Sequence, residues 1–334
     1  MILVTGGTGL IGSHLLFQLI KQGKKVRSNY RSKESIDKVS NIFGYYTNDA
    51  QLVHQIEWVQ ADITDISSLE CLFEGVEQVY HCAALISFDP KDYKKLERTN
   101  VEGTANVVNL CLKYAIKKLC YISSIAAIGP GLNGQMVTEE TEWNENRASV
   151  YGLTKYNAEL EVWRGWQEGL SVVIVNPGVV VGPGFWRSGS GSFFTYVSKE
   201  NKHYIPGGTG FVSVNDVVNA MCSLMDSEIQ SERFILVSEN LTYFDFFTKI
   251  AKGLGVKAPE KKVSQLMLEC FWRLDWVRSN LMGKRRKLSK IMAKSLMHQD
   301  HYNGDKIKSV LSFEYENLDK VIDFCNEKFR ASRR

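Results

Sequence analysis

Met1-Ile2-Leu3-Val4-Thr5-Gly6-Gly7-Thr8-Gly9-Leu10-Ile11-Gly12 is the stretch that decides the fold. Its three spaced glycines follow a short apolar strand and precede apolar residues at helical spacing. In such a unit the first glycine permits a tight turn, the second lets a pyrophosphate approach the backbone, and the third allows close packing of helix on strand. The backbone N–H groups and the helix dipole favour an anion there. The stretch predicts a dinucleotide site, with a ligand-free tight turn as the alternative.

Apolar runs of strand length alternate with amphipathic helical segments over the first half of the chain. Strands are predicted at 2–4, 25–30, 56–60, 78–82, 119–122 and 172–175, and helices at 13–22, 67–73, 101–114 and 150–165. This alternation predicts an α/β fold with a Rossmann-type doubly wound parallel sheet.

The pattern changes after Pro177. Residues 182–211 are rich in Gly, Ser and aromatic residues and are predicted to be loops, followed by a helix at 216–225, a strand at 234–237 and mostly helix from 243 onward. We therefore expect a dinucleotide-binding domain of residues 1–176, to which 211–240 return. Residues 177–210 and 241–334 would form a smaller, mostly helical substrate-binding region.

Composition excludes several classes of protein. The net charge of +4, from 41 basic and 37 acidic residues among 334, is too small to indicate a nucleic-acid partner. The seven cysteines are scattered without a C-x-x-C pair, which favours reduced core thiols in a cytoplasmic protein over a disulfide or zinc framework. The chain has no predicted signal peptide or membrane span. A basic cluster at Lys284–Lys287 is predicted to be a solvated helix start or loop, with an acidic partner or a membrane surface as the alternative.

The second strand should deliver a residue to the adenosine ribose about twenty residues beyond the glycine loop. There the sequence has Arg31, with Lys33 nearby and no acidic residue before Glu34. Because a guanidinium grips a 2′-phosphate that a carboxylate would repel, this favours NADP over NAD, with a surface arginine as the alternative. Asp62-Ile63 follows the third strand. Asp62 could accept from the adenine amino group or act as a helix N-cap.

Tyr151 and Lys155 share one helix face because they are four residues apart. A free tyrosine ionises near pH ~10, and a neighbouring cation together with an oxidised nicotinamide would lower that pKa. Tyr151 could then exchange a proton with a carbonyl or alcohol oxygen. Ser123-Ser124 ends the fifth strand, at the edge where ligands bind in such sheets. One of these hydroxyls could bind the substrate oxygen; otherwise both are ordinary turn residues.

The chain resembles the extended short-chain dehydrogenase/reductase superfamily, and most of all its dihydroflavonol-reductase and 3β-hydroxysteroid-dehydrogenase branch. The resemblance spans roughly residues 1–220 and rests on motifs in the superfamily's order: 5–12, His81-Cys82-Ala83-Ala84, 100–104, Ser123-Ser124, Tyr151-x-x-x-Lys155, 176–183 and 211–217. It implies an NAD(P)-dependent oxidoreductase with Ser124, Tyr151 and Lys155 as catalytic residues. It implies cofactor contacts from Gly6, Thr8, Gly9, Leu10, Ile11, Gly12, Arg31, Asp62, Ile63, Ala83, Ala84, Asn100, Lys155, Pro177 and Val180, no metal, and a homodimer formed through long helices.

Two departures concern the reaction. Asn176 stands where the superfamily usually has arginine, and Ala126 stands where many sugar epimerases have threonine. Both weaken a nucleotide-sugar interpretation. The first hypothesis is therefore an NADPH-dependent reductase, or the reverse dehydrogenase, of an apolar carbonyl compound. Its pocket would be lined by the C-terminal helices and by Ile86, Phe88, Phe185, Trp186 and Phe193, unless these aromatics only pack the small domain.

Two alternatives stay open. A nucleotide-sugar epimerase would keep NAD tightly bound and use basic residues such as Arg187 or Lys202. A non-catalytic dinucleotide-binding scaffold is the second alternative, which the intact Ser124, Tyr151 and Lys155 disfavour. The identity of the substrate would depend on the region after Pro177.

Overall fold

A seven-stranded parallel sheet forms the centre of the computed structural model, which describes all residues except 132–133, 283–287, 289, 291–292, 294–295 and 334. Numbered along the whole chain, its strands are β1 (Ile2–Thr5), β2 (Val26–Tyr30), β3 (Glu57–Gln60), β4 (Gln78–His81), β5 (Lys118–Ile122), β6 (Val172–Pro177) and β10 (Glu232–Leu236). Their order across the sheet is β10-β6-β5-β4-β1-β2-β3. The order 3-2-1-4-5-6 is that of a doubly wound dinucleotide-binding sheet, with β10 added beside β6.

Two small sheets complete the strands. β7 (Val179–Val181), β9 (Gly208–Ser213) and β11 (Glu239–Thr242) form one, in which β9 pairs with both neighbours. β8 (His203–Tyr204) and β12 (Lys261–Lys262) form the other.

Helices cover both faces of the central sheet and build most of the C-terminal region. In the described ranges they are α1 (Leu10–Lys21), α2 (Glu34–Phe43), α3 (Ile66–Glu70), α4 (Tyr93–Leu96), α5 (Gly103–Lys113), α6 (Val150–Gln167), α7 (Gly191–Ser198), α8 (Val214–Asp226), α9 (Tyr243–Leu254), α10 (Gln265–Leu281), α11 (Lys306–Leu311) and α12 (Leu318–Ala331). A π-helical segment, Glu97–Glu102, joins α4 to α5. Short 3₁₀ turns lie at Leu52–Gln55, Pro90–Asp92, Ile125–Ala127 and Glu145–Arg147.

The two faces of the sheet bury two separate apolar clusters. One contains Leu15 and Leu16 of α1 with Val217 and Met221 of α8. The other contains residues of α5 and α6, such as Val108 and Val162. Strands β5 and β6 are buried at every position, as their near-continuous apolar sequences require when helices cover both faces. A third cluster joins α7, α9 and α12 in the C-terminal region.

The predicted α/β fold and doubly wound sheet are confirmed, but the prediction of loops throughout 182–211 is wrong. That stretch contains α7 and strands β8 and β9. Phe194 and Val197 of α7 are fully buried in the third cluster, so tertiary packing overrides the Gly- and Ser-rich local sequence. Helix α2 and strand β7 were not predicted. The basic cluster Lys284–Lys287 lies outside the described residues.

The cysteines only partly follow the expectation of core thiols. Four are buried and Cys82 is partly buried, whereas Cys71 and Cys270 are exposed, and all seven are free. None of the described helices is long and apolar enough to cross a membrane.

Candidate active site

The glycine loop between β1 and α1 lies at the carboxyl edge of the sheet. Gly6 has φ +70°, and a Cβ there would lie 2.5 Å from the Ala83 nitrogen. A Cβ on Gly12 would lie 2.3 Å from the Gly6 carbonyl oxygen. At Gly9 the nearest protein atom would be 3.4 Å away, an ordinary contact. The protein's own packing therefore requires Gly6 and Gly12, whereas the surface over Gly9 is open to a ligand.

Helix α1 begins without a side-chain cap. Gly9 is its N-cap, and its first turn contains no acidic residue. Thr8, Leu10 and Ile11 are partly exposed around this helix start. An uncapped helix N-terminus with open backbone above Gly9 fits the phosphates of a dinucleotide.

A buried asparagine that the sequence analysis missed holds this loop in place. Asn29 Oδ1 accepts from the Gly6 N–H (3.1 Å), and its Nδ2 donates to the Ala61 carbonyl (2.9 Å). Asn29 thus ties the glycine loop to the ends of β2 and β3. An amide side chain inside a predicted strand was the only sequence signal for this role.

The adenosine end of the predicted site is formed after β2 and β3. Arg31 follows β2 directly and is exposed. Asp62 Oδ1 accepts from both the N–H and the hydroxyl of Thr64, each at 2.9 Å. The N-cap of α3 is Asp65, so the alternative that Asp62 caps this helix is wrong. The Ile63 side chain is buried against Gly103, which leaves its main chain as the part that could face a ligand.

Tyr151 and Lys155 lie in the first turns of α6, which begins where Ser149 Oγ accepts from the Gly152 N–H. Tyr151 is 8% exposed. Burial raises the pKa of Tyr151 to about 12, and a hydrogen bond with Ser124 offsets only part of this effect. The structure thus brings Ser124 to the phenol, whereas Ser123 lies on the Glu159 side.

Lys155 is 1% exposed, and its ammonium forms hydrogen bonds with β5. Its Nζ donates to the Tyr121 hydroxyl (2.6 Å) and to the Ile122 carbonyl (2.7 Å). Burial lowers the pKa of Lys155 to about 7, although Glu159 opposes this shift. In the chain by itself burial of the phenol dominates its pKa, and the lowering expected from the cation together with an oxidised nicotinamide stays a prediction.

Glu159 continues the same helix face one turn beyond Lys155 and is fully buried. Asn176 Nδ2 donates to its Oε1, and Arg233 of β10 lies 3.5 Å from its Oε2. Burial raises the pKa of Glu159, while Arg233, Asn176 and Lys155 pull it down. The sequence analysis missed both Glu159 and Arg233; the four-residue spacing from Lys155 could have indicated Glu159.

Asn100 joins the loop after β4 to α6. Its Oδ1 accepts from the Leu85 N–H (2.7 Å), and its Nδ2 donates to the Leu85 carbonyl (3.0 Å) and the Thr154 hydroxyl (3.1 Å). Asn100 is 1% exposed, so its amide is committed to these partners. It stands near the candidate active site, where its hydrogen bonds hold the Leu85 main chain and Thr154, the residue before Lys155.

The remaining predicted cofactor contacts follow β4 and β6. Ala83 and Ala84 come directly after β4, with Ala83 against the glycine loop. Pro177 ends β6, and Val180 lies partly exposed in β7. The predicted residues therefore meet at one edge of the sheet, where strands β1, β4, β5 and β6 end.

The predicted apolar pocket is divided in the structure. Phe88 packs edge-on against Tyr151, with ring centroids 5.6 Å apart, and it remains 41% exposed. Ile86 in the same loop is also exposed. Trp186 and Phe193 instead pack in the third cluster, against Phe194, Phe329, Phe246 and Phe247. For these two aromatics, packing of the small domain accounts for their positions.

A doubly wound sheet with a glycine loop at its carboxyl edge, beside Ser124 and the buried Tyr151 and Lys155, defines a dinucleotide-dependent enzyme. The chain belongs to the NAD dependent epimerase/dehydratase family, whose profile matches residues 2–236. It is an NAD(P)-dependent oxidoreductase of the extended short-chain dehydrogenase/reductase type.

Relatives span most of the chain. A Synechocystis sp. protein with the provisional name dihydroflavonol 4-reductase is 30% identical over 78% of this chain and 74% of its own. Sterol demethylase protein B of Methylococcus capsulatus is 28% identical over 80% and 78%. The crystal structure of UDP-glucose 4-epimerase from Thermotoga maritima superposes with a TM-score of 0.79 at 21% identity, over 100% and 99% of the two chains, which shows a shared fold.

Proposed function

We propose that this enzyme is an NADPH-dependent reductase of an apolar ketone or aldehyde, or catalyses the reverse alcohol oxidation. The observation that carries the proposal is a buried Tyr151 phenol that touches Ser124 on one side and the exposed ring of Phe88 on the other. Because its pKa is raised to about 12, Tyr151 keeps its proton at neutral pH, as a proton donor in a reduction must.

The residues divide into roles by position. Bound NADPH supplies the hydride. Tyr151 donates the proton to the carbonyl oxygen of the substrate, and the Ser124 hydroxyl binds the same oxygen and fixes its approach. Lys155, one turn further along α6 and bound to Tyr121 and the Ile122 carbonyl, would hold the nicotinamide ribose. The exposed Phe88 and Ile86 offer apolar contacts at the entrance, which favour an apolar substrate.

The chain's own residues would hold the dinucleotide along the sheet edge. Residues 8–12 would take the pyrophosphate, with Asp62 and the Ile63 main chain at the adenine. Arg31 would grip a 2′-phosphate, because it is exposed beside the end of β2 and no carboxylate precedes Glu34. Ala83, Ala84, Pro177 and Val180 would surround the nicotinamide end.

Two relatives support this choice by their names. One is a reductase by its provisional name, and the other is named for a sterol, an apolar compound. Arg187 and Lys202, the basic residues that an epimerase could use for a sugar pyrophosphate, are both exposed, and no contact of theirs in the described part of the chain favours that role.

The test combines cofactor titration with one matched pair of variants. We expect the purified protein to bind NADPH more tightly than NADH and to oxidise NADPH with aromatic or steroid-like ketones and aldehydes. Tyr151→Phe should abolish turnover and leave NADPH binding unchanged. Tyr156→Phe, on the same helix and stacked on Trp143 at 4.3 Å, should keep both. Co-purified NAD without NADPH preference, together with epimerisation of UDP-glucose, would refute the proposal.

A further inference from the structure

Helix α10 carries an apolar face that the described residues leave uncovered. Its inner side is anchored by Leu268 and Ser279, which are 6% and 1% exposed. Large apolar side chains occupy much of the rest of the helix and are exposed: Leu266 (74%), Phe271 (47%), Leu274 (65%), Trp276 (49%), Val277 (41%) and Leu281 (82%), with Met282 just beyond. A surface helix normally turns such residues inward. An uncovered apolar strip of this length marks a binding surface.

Contacts on the inner side of α10 hold the helix with its apolar face outward. Lys91 donates to the Ser279 hydroxyl (2.9 Å) and carbonyl (3.3 Å), and Leu288 N–H donates to Asp275 (2.9 Å). Trp272 packs with Leu268 in a small cluster of its own. Polar contacts and this cluster fix one side of α10 to the protein, so the opposite apolar side faces outward.

Basic residues flank this helix in the sequence. Residues 257–294 contain eleven Lys and Arg and three Asp and Glu, a net charge of +8, so the other residues of the +4 chain carry a net −4. Arg273 and Arg278 are paired within the helix, with Glu269 and Asp275. The excess therefore comes from the segments on either side: Lys257, Lys261 and Lys262 before the helix, and Lys284, Arg285, Arg286, Lys287, Lys290 and Lys294 after it.

We propose that α10 and its flanking basic segments bind the surface of an anionic lipid bilayer. A helix with Leu, Phe, Val and Trp outward and basic residues beside it can lie in the membrane interface with its apolar side among the acyl chains. Each basic residue near an anionic leaflet increases binding about fivefold. A second copy of the chain is a poorer occupant, because a symmetric contact would bring together two segments that each carry a net charge of +8.

The helix also lies beside the candidate active site. Lys91 follows the loop that carries the exposed Ile86 and Phe88, and the Phe88 ring packs against Tyr151. The membrane proposal itself does not depend on the reaction, since it rests on α10 and its charges alone.

Vesicle co-sedimentation of the full-length protein tests the proposal. We expect binding to phosphatidylcholine vesicles that contain phosphatidylserine, weak binding to phosphatidylcholine alone, and loss of binding at high salt. The double variant Leu274→Glu/Val277→Glu should reduce binding at least about tenfold, since two charges would enter the apolar layer. Reversing the charges of residues 284–287 should remove the preference for phosphatidylserine. Val310→Glu, at an exposed apolar position on α11 (47%), is the matched control and should bind as the wild type does.

Circular dichroism and NADPH binding should be the same in all variants, because the substituted α10 side chains are exposed. A folded wild type that binds neither vesicle type overturns the proposal. A dimer in sedimentation velocity that Leu274→Glu/Val277→Glu converts to a monomer, without vesicle binding by the wild type, would assign the surface to a second copy instead. Equal binding to both vesicle types would refute the role of the basic segments.

Discussion

Replacing Asn100 by alanine tests whether the loop after β4 is held in place for catalysis. The amide makes three hydrogen bonds, two to the Leu85 main chain and one to Thr154. At about 1 kcal/mol each, their loss should lower the free energy of unfolding by about 3 kcal/mol. Because Leu85 leads into the Phe88 loop and Thr154 precedes Lys155, kcat should also fall at least about tenfold, a barrier increase of about 1.4 kcal/mol.

Asn240 provides a matched control for this experiment. Its amide clamps the Tyr302 main chain with two bonds of 2.9 Å, the same arrangement that Asn100 makes with Leu85. Asn240→Ala should therefore cost about 2 kcal/mol in urea unfolding and leave kcat nearly unchanged. If Asn100→Ala retains wild-type kcat while losing the expected stability, Asn100 is a structural residue only. If it loses no stability, the hydrogen bonds described here do not hold the loop.

Three further predictions concern the cofactor site and the buried cation. Gly9→Ala should leave the unfolding midpoint unchanged and weaken NADPH binding at least about tenfold. Gly12→Ala should lower the unfolding midpoint, since its methyl would lie 2.3 Å from the Gly6 carbonyl oxygen. Equal midpoints for the two variants would contradict the inference that protein packing requires glycine at position 12. Arg31→Asp should weaken NADPH binding more than tenfold, about 1.5–3 kcal/mol, and change NADH binding little; an equal loss for both cofactors would show that Arg31 does not contact a 2′-phosphate. Glu159→Gln should lower the pKa of Lys155 below about 7, because the Glu159 carboxylate raises the pKa of Lys155. Since Lys155 is an ammonium only below its pKa, the alkaline fall of kcat/KM should move to lower pH. An unmoved pH profile would rule out electrostatic coupling between Glu159 and Lys155.

Local sequence was sufficient where one physical cause dominates. Strands β5 and β6 are buried on both faces, so their apolar runs had one interpretation. The requirement for glycine at position 12 comes from its contact with the Gly6 carbonyl, six residues earlier in the chain. The four-residue spacing of Tyr151 and Lys155 follows from helix geometry alone. In these cases the information lies close together in the chain.

Long-range packing accounts for what was missed. Helix α7 forms because Phe194 and Val197 find partners on α9 and α12, more than forty residues away in sequence. The direction of the Lys155 side chain depends on Tyr121 of β5. Neither contact leaves a periodic trace in the local sequence. The bonds that shape the active site are therefore the ones that the sequence pattern could least predict.

Asn176 shows how such a contact changes the meaning of a sequence departure. The superfamily resemblance leads one to expect arginine there, and its absence weakened a nucleotide-sugar interpretation. In the structure Asn176 donates to the buried carboxylate of Glu159. The guanidinium of Arg233 lies beside the same carboxylate. Arg233 belongs to β10, the strand next to β6, and stands two residues before Ile235, which pairs with Asn176. Since Asn176 contacts Glu159 and the Ser124 carbonyl, its identity reflects packing behind the catalytic residues rather than the choice of substrate. The discrimination between a reductase and an epimerase therefore rests on Arg31, on the exposed Phe88 loop and on the cofactor titration.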